Sequence, residues 1–311
     1  MINSTSGVAG KSPGIILSGV SGMLGTALRN AFAVRRIPTL QLIRGPAFAG
    51  NQLTWNPVAS PAISDPSALE GSTAAIHLSG ASVAGRRWTP AYLREMTSSR
   101  VDSTRALATL LAGLRHPPRA LLVASAVGIY GDRGDELLDE ASPPGTGFLA
   151  GLCAQWEAAA EPAVKAGIRV VHLRFGVVLG PGRGALGQML PIFRLGLGGR
   201  LGNGRQWMSW ISLADAIEAI LFALEAPSLV GPVNLTAPAP VTNAEFTRAL
   251  ALQLRRPAIL PAPAFALRLA FGQMADEALL ASARAVPTKL LSAGFRFAHP
   301  TVEAALAAGL A

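Results

Sequence analysis

Three glycines at three-residue spacing stand between a short apolar run and a helical pattern near the start of the chain. The run Ile15 to Leu17 in "GIILSGVSGMLGTALRNAF" is typical of a buried parallel strand, because it is too short for a helix and glycine bounds it. Gly19, Gly22 and Gly25 follow it. Glycine lets the backbone approach a pyrophosphate, and a helix N-terminus offers free N–H groups and a positive dipole end. The order strand, glycine turn, helix therefore predicts a dinucleotide site.

Two further strand ends extend this predicted site. The strand "TLQLI" ends at Arg44, where an acidic residue would hold a ribose 2′-hydroxyl and an arginine suits a 2′-phosphate. We therefore predict NADP rather than NAD, with an exposed surface arginine as the alternative. The buried run Ala74 to Leu78 ends in small residues that let the backbone lie against a nucleotide. The cofactor-binding residues predicted here are Gly19, Ser21, Gly22, Met23, Leu24, Gly25, Arg44, Leu78, Ser79, Gly80 and Ala81.

Strands and helices alternate after this site. Residues 90–114 have one broad apolar face at helical spacing, prolines end that pattern, and Ala120 to Ala124 form the next buried run. Val170 to Arg174 is a further one. This alternation predicts an α/β fold with a Rossmann-like doubly wound parallel sheet, whose ligands lie at the carboxyl ends of the strands.

Length and composition predict two domains in a folded, soluble protein. The chain of 311 residues is 50% hydrophobic and 14% charged, enough to bury a large core. We predict an NADP-binding domain over 12–184, to which 207–236 returns, and a smaller C-terminal α+β domain from 185–206 and 237–311. The opening stretch "MINSTSGVAGKSPG" lacks the apolar centre of a signal peptide, and no apolar run is long enough for a membrane span. We expect a polar leader and a cytoplasmic protein that does not bind a membrane.

The charged and metal-binding residue types exclude several functions. The net charge of +9 is spread along the chain without interleaved aromatic residues, which disfavours nucleic-acid binding, although some arginines could bind anionic phosphates. Cys153 is the single cysteine, and the four histidines are scattered, so no disulfide and no metal site is expected.

Five segments in order resemble the extended short-chain dehydrogenase/reductase superfamily of NAD(P)-dependent epimerases and dehydratases. They are "SGVSGMLG", "HLSGAS", "ASAVGIYGD", "LRFGVVLGPG" and "WISLADAIEAI". The segments "RRWTPAYLREMTSSRVDSTRAL", "GRQWMSWI" and "GPVNLTAPAPVTNAEFTRAL" are similar to its epimerase-like branch that ends in a domain of unknown function. The resemblance implies that Phe175 to Val178 pass near the nicotinamide and adds Val177 and Ser125 to the cofactor-binding residues.

The family's proton-transfer residues are missing from their places. Its serine or threonine lies four positions before the tyrosine of the "YG" pair, where this chain has Ala126, and Ser125 is one residue away. A one-residue step along a strand turns the side chain to the opposite face. The family's tyrosine and lysine should stand where this chain has Leu149 and Cys153. Tyr130 and Ser125 are the candidate catalytic residues, followed by Cys153 and Asp132.

Two functions remain open on this evidence. One is an NADP-dependent epimerase or oxidoreductase of atypical mechanism, acting on a nucleotide sugar or another small carbonyl or hydroxyl substrate. The other is a regulatory or scaffold protein that binds NADP(H) with little or no turnover. A nucleic-acid binder comes third.

The second half of the chain contains the predicted substrate side. The loop "GLGGRLGNGRQWMSWI" joins arginines to tryptophans, which suits an anionic ring-bearing ligand or, alternatively, packing at a domain seam. The predicted substrate-binding residues are Arg100, Arg205, Gln206 and Trp210. An apolar tail beyond Pro257 should cover the substrate side or a partner subunit, so a homodimer is one predicted assembly.

Overall fold

The strands and helices of this computed structural model lie within residues 14–59, 61–182 and 184–310, the residues that the structure describes. The predicted polar leader and residues 12 and 13 of the predicted larger domain lie outside them. The strands are β1 (Ile15–Ser18), β2 (Thr39–Ile43), β3 (Gln52–Thr54), β4 (Ala74–His77), β5 (Ala120–Ala126), β6 (Leu137–Leu138), β7 (Arg169–Phe175), β8 (Val177–Leu179), β9 (Trp207–Met208), β10 (Trp210–Ser212), β11 (Gly231–Leu235), β12 (Val241–Thr242) and β13 (Arg284–Ala285). The helices are α1 (Met23–Val34), α2 (Pro90–Ala112), α3 (Phe148–Ala158), α4 (Glu161–Lys165), α5 (Gly184–Arg194), α6 (Leu213–Glu225), α7 (Asn243–Leu254), α8 (Ala264–Phe271), α9 (Thr288–Ser292) and α10 (Val302–Leu310).

Seven parallel strands form the central sheet in the order β11-β7-β5-β4-β1-β2-β3. The strand order reverses at β1, since β2 and β3 follow on one side and β4 begins the other side. In register, Ser18 at the end of β1 lies opposite His77 at the end of β4. This reversal is the topological switch point at which open α/β sheets bind their ligands. The predicted doubly wound fold is confirmed.

Helices cover both faces of this sheet, so its central strands are buried on both sides. Every residue of β1 and of β4 is buried. Helix α1 packs against α6, whereas α2 packs against α3 and α4. The chain connects parallel strands through right-handed crossovers. Because these crossovers run in opposite directions on the two sides of β1, their helices lie on opposite faces of the sheet. The short edge strand β3 follows β2 and was not predicted, because three residues carry little periodicity.

A second apolar cluster forms the smaller C-terminal region. It joins α5, α7 and α10 to the β8–β10 pair, and Trp210 is fully buried within it. Two short strand pairs join segments that are distant in sequence. Strand β13 of the C-terminal region pairs with β6, and β12 pairs with β9. The smaller region is confirmed, and the numerical domain boundaries stay predictions.

The apolar tail is only partly covered. In α8, Phe265 and Leu269 are 72% and 78% exposed, whereas Leu267 is buried. The predicted homodimer stays a prediction. No helix in the described ranges has both the length and the apolar character needed to cross a membrane.

Candidate functional site

The glycine turn lies at the switch point between β1 and α1. Gly19 has a φ of 75°, and a Cβ added there would lie 2.6 Å from the Leu78 carbonyl group at the end of β4. Gly22 is the N-cap of α1, and no side chain caps this helix end. The first N–H groups of α1 are therefore available to a ligand, as in dinucleotide-binding turns.

A cavity of about 420 Å³, here called the switch-point cavity, opens beside this turn. Its wall is built from the carboxyl ends of β1, β2 and β4 and from α2. The lining residues are Gly19, Val20, Ser21, Gly22, Leu42, Ile43, Arg44, Trp55, Pro57, Leu78, Ser79, Gly80, Ser99 and Ser103. Seven predicted cofactor residues are thus brought together, while Met23, Leu24 and Gly25 lie in the first turn of α1 behind them. The Ala81 N–H donates to the Ser99 hydroxyl at 3.0 Å beside this wall.

Arg44 stands at the rim of the switch-point cavity, one residue beyond β2. Its side chain is exposed, and no salt bridge to it occurs among the residues that the structure describes. An unpaired guanidinium group at this strand end can bind a 2′-phosphate through charge-assisted hydrogen bonds. Trp55, Ser99 and Ser103 complete the wall and were missed, because nothing near them in sequence marks a ligand site.

His77 supports this cavity from behind. Its Nδ1 lies 2.6 Å from Ser18 Oγ and its Nε2 lies 3.0 Å from Ser103 Oγ, while the Trp55 ring packs edge-on at 5.8 Å. Ser103 donates to the Ser99 carbonyl at 2.7 Å, which assigns the histidine proton to Nε2. Burial lowers the pKa of His77 to about 4, so the ring is neutral at pH 7. The histidine is a packed core residue.

A second cavity of about 280 Å³, the α3 cavity, lies between α3 and the C-terminal region. The three positions where the family carries its proton-transfer residues, Ala126, Leu149 and Cys153, all line it. Burial, reinforced by the nearby Glu157 charge, raises the pKa of Cys153 to about 12, so its thiol is neutral. The position of the family's chemistry is therefore occupied by groups that do not move protons at neutral pH.

The two candidate catalytic hydroxyls line the wall of neither cavity. Ser125 Oγ donates to Glu157 Oε1 at 2.7 Å, and Arg174 forms a two-point pair with the same carboxylate at 2.8 and 2.9 Å. The fully buried Tyr130 hydroxyl accepts from Arg174 Nη1 at 3.0 Å and lies 2.8 Å from both the Asp139 carbonyl and Asn234 Oδ1. Burial raises the pKa of Tyr130, while Arg174 opposes this shift.

This network uses the proton of each of the two hydroxyls. Burial alone would lower the pKa of Arg174, but its bonds and charge interaction with Glu157 raise it overall, so the ion pair persists. The structure thus brings Ser125 and Tyr130 together in a buried network and does not bring them to the α3 cavity. Asp132 accepts the N–H groups of Gly134 and Ser282 and shapes a turn.

The predicted substrate residues are divided between the α3 cavity, its support and the core. Arg100 lines the cavity, donates to the Ala81 carbonyl at 2.8 Å, and lies 5.1 Å from the Trp156 ring centre. Gln206 supports the wall through bonds to the Leu201 and Leu279 carbonyl groups.

The two remaining substrate candidates lie elsewhere. Arg205 is exposed and does not line the cavity, and Trp210 is buried in the second apolar cluster with its Nε1 donating to Ala239. Trp210 is therefore a packing residue, which was the alternative to ligand binding. The cavity wall contains Trp207 instead, together with Val177 from the cofactor prediction.

Glu277 is the carboxylate that lines the α3 cavity, and the sequence did not reveal it. It lies in a π-helical turn, Ala275–Leu279, of the C-terminal region. Its Oε2 accepts the Leu149 N–H at 2.7 Å and its Oε1 accepts from Gln273 at 2.6 Å. The carboxylate therefore caps the first turn of α3, beside the place of the family's tyrosine. No cluster of three metal-ligating side chains occurs in residues 14–59, 61–182 and 184–310.

The parallel sheet with a glycine turn and a free helix N-terminus at its switch point defines a Rossmann-type nucleotide-binding protein. The chain belongs to the NAD dependent epimerase/dehydratase family, whose profile matches residues 15–235. A domain of unknown function, DUF1731, matches residues 262–308. Both parts of the predicted family membership are confirmed.

Similar proteins cover nearly the whole chain. The epimerase family protein MT2273 of Mycobacterium tuberculosis is 46% identical over 292 residues, which is 94% of this chain and 96% of that protein. The crystal structure of human epimerase family protein SDR39U1 with NADPH has a TM-score of 0.87 at 33% identity and covers 95% of this chain and 98% of that chain. UDP-N-acetylglucosamine 4-epimerase from Bacillus cereus, at 15% identity and a TM-score of 0.73, covers 95% of this chain and 97% of that chain and shares the fold.

Proposed function

We propose that this protein binds NADPH in the switch-point cavity and a small, largely apolar ligand in the α3 cavity, without tyrosine–lysine chemistry. The observation that supports cofactor binding is the convergence of the glycine turn, the uncapped α1 N-terminus and Arg44 on one cavity. At Gly19 the backbone packs so closely against the Leu78 carbonyl group that no Cβ would fit, and this brings the ends of β1 and β4 together at the cavity. The human relative crystallised with NADPH supports the same assignment. When bound, NADPH supplies a hydride.

The α3 cavity supports a ligand smaller and less polar than a nucleotide sugar. Its volume of about 280 Å³ is at the lower end for ligand sites, and its wall consists mainly of apolar side chains. Arg100 is the one cationic side chain among the described residues of this wall, and it can orient a single carbonyl or carboxylate group. A small carbonyl compound fits these features.

A second candidate function is NADPH-dependent reduction with Glu277 as the proton donor. Glu277 is favoured because it places a carboxyl group on the α3 cavity beside Leu149, where the family's tyrosine would stand. For such a reduction bound NADPH would supply the hydride that the carbonyl carbon receives as its C=O π bond breaks, and Glu277, once protonated from solvent, would donate a proton to the carbonyl oxygen. A hydronium ion from solvent would restore the proton on Glu277, so that each turnover would consume one NADPH and one H⁺.

Calorimetric titration with NADPH, NADH and the oxidised forms tests cofactor binding. Arg44→Ala should weaken NADPH binding about 10- to 150-fold, the equivalent of roughly 1.5–3 kcal/mol for hydrogen bonds to a charged group, and leave NADH binding unchanged. Arg115→Ala is the matched control, because Arg115 is exposed and lines neither cavity. Equal loss of NADPH and NADH affinity in Arg44→Ala, or no dinucleotide binding by the unaltered protein, would contradict the assignment.

An assay of NADPH oxidation in the presence of small carbonyl compounds distinguishes the binding function from the reductase function. Reduction through Glu277 requires that Glu277→Gln lower turnover about 10²- to 10⁴-fold, while the exposed Glu303→Gln retains it. Glutamine keeps an oxygen for the Leu149 N–H, so α3 stays capped. Tight NADPH binding without oxidation of the cofactor would leave the binding function and eliminate the reductase.

A further inference from the structure

A groove lined by four arginines lies on the C-terminal region, outside both cavities of the candidate site. It has a volume of about 690 Å³ and is formed by one face of α7, the connector that follows this helix, and Arg200. Its lining residues are Arg200, Ala244, Thr247, Arg248, Ala251, Leu252, Arg255, Arg256, Ala258, Ile259 and Pro261. We call it the arginine groove.

The charges of the arginine groove form no salt bridges within residues 14–59, 61–182 and 184–310. None of its four arginines forms a salt bridge or a side-chain hydrogen bond within the described part of the chain, and no Asp or Glu lines it. Glu245, on the same helix, caps α7 by accepting from the Thr242 N–H and hydroxyl at 2.7 and 2.8 Å. The Glu245 charge interacts with Arg248 alone, so the four like charges of the groove still repel each other, and an anionic partner reduces this repulsion.

The backbone at Arg255 gives independent support. Arg255 ends α7 in the left-handed region, with φ 53° and ψ 44°, where glycine is the favoured residue. Of the described residues other than glycine, only Arg36 and Arg255 have a positive φ. An arginine here costs backbone stability relative to glycine and places a guanidinium group on the groove.

The arrangement of charged and apolar residues indicates the shape of the partner. Arg248 and Arg255 are seven residues apart on α7, so two helical turns, about 10 Å, separate them. Between them Ala251 and Leu252 line the groove, and Ile259 of the connector also lines it. Leu252 and Ile259 are 71% and 78% exposed. A groove that combines exposed apolar side chains with cationic ones suits an amphipathic helix whose apolar stripe is flanked by carboxylates.

We infer that the arginine groove binds an acidic amphipathic helix of a partner protein. Nucleic acid fits less well, because no aromatic side chain lines the groove for base stacking. The groove is separate from the NADPH site but shares structure with the α3 cavity, since Asn243 Oδ1 of the cavity wall accepts the Leu201 N–H beside Arg200.

Fluorescence anisotropy with a labelled peptide of about 14 residues tests the inference. The peptide consists of leucine, alanine and glutamate, with the glutamates flanking one leucine face, and a second peptide carries glutamine in place of glutamate. We expect the acidic peptide alone to bind, and binding to weaken as salt rises from 50 to 300 mM. Arg248→Ala combined with Arg255→Gly should lower the affinity at least tenfold.

Arg255→Gly distinguishes function from folding. Glycine suits the left-handed position, so this variant should keep or raise the melting temperature while it weakens peptide binding. Exposed Arg94→Ala is the control and should retain full affinity. NADPH titration of the same variants should give an unchanged Kd, so that failure of the groove and failure of the cofactor site remain distinguishable.

Four results would overturn the inference. The first is that the acidic peptide does not bind, and the second is that the glutamine peptide binds equally well. The third is that the Arg248 and Arg255 substitutions do not change peptide affinity. The fourth is that tripolyphosphate or single-stranded DNA binds as tightly as the acidic peptide and depends on the same arginines.

Discussion

The Ser125 hydroxyl donates to Glu157 Oε1 at 2.7 Å and so faces away from the α3 cavity, which the next residue, Ala126, lines. Successive side chains of a strand point to opposite faces, so the serine cannot take the place of the family's catalytic hydroxyl. Instead it joins Glu157, Arg174 and Tyr130 in a buried polar network behind the sheet. This geometry leads to predictions about stability rather than catalysis.

Glu157→Gln should destabilise the fold by about 3–5 kcal/mol, because it leaves the buried Arg174 guanidinium without its counter-charge. Urea or guanidinium unfolding monitored by circular dichroism measures this change. The exposed Glu161→Gln, which removes a surface pair with Lys165, should unfold at an unchanged midpoint. An equally small effect at Glu157 would show that the buried pair is dispensable.

Tyr130→Phe should cost about 1–3 kcal/mol of stability, because Arg174 Nη1 loses its buried acceptor. NADPH affinity and any carbonyl turnover should be unchanged, since the hydroxyl reaches neither cavity. Paired unfolding and titration experiments check both statements. Loss of turnover at unchanged stability would instead assign Tyr130 a catalytic role.

His77 should make stability fall as the pH falls from about 6.5 to about 4. Its pKa is lowered by burial to about 4, while the unfolded chain keeps the ordinary value near 6.5, so only the unfolded state binds a proton in this window. The loss is at most about 1.4 kcal/mol per pH unit for this one group. His77→Gln should reduce the slope of unfolding free energy against pH.

The control for this slope is His116→Gln, because His116 is exposed. Burial also lowers the pKa of His172, which adds a slope of the same sign that both variants retain. An unchanged slope in His77→Gln would mean that His77 does not titrate as a buried neutral ring.

Cys153 should resist alkylation in the folded protein. With a pKa of about 12, its thiolate fraction at pH 7.5 is below about one in ten thousand, and the side chain is buried. Mass spectrometry after iodoacetamide treatment should show labelling at least about 100-fold slower than in the unfolded chain. Because the sequence has one cysteine, each adduct reports this site alone. Labelling at the unfolded rate would show that the α3 cavity is open to solvent and its thiol ordinary.

The sequence by itself determined the parallel sheet, the glycine turn, the position of Arg44 and the family. These features rest on local order: a strand of buried residues, a glycine that must turn, a helix that follows, and motifs that keep their order along the chain. The same local comparison showed that Ala126, Leu149 and Cys153 replace the family's proton-transfer residues.

Only the tertiary structure decided which side chains meet. Tyr130 and Ser125 looked suitable because they are near the family's motif, but Asn234, 104 residues beyond Tyr130, and Arg174 hold the tyrosine in the core. Glu277 reaches the Leu149 N–H across 128 residues. Such contacts depend on how the C-terminal region packs on α3 and on the order of β5, β7 and β11 in the sheet, and neither follows from residue type or local spacing.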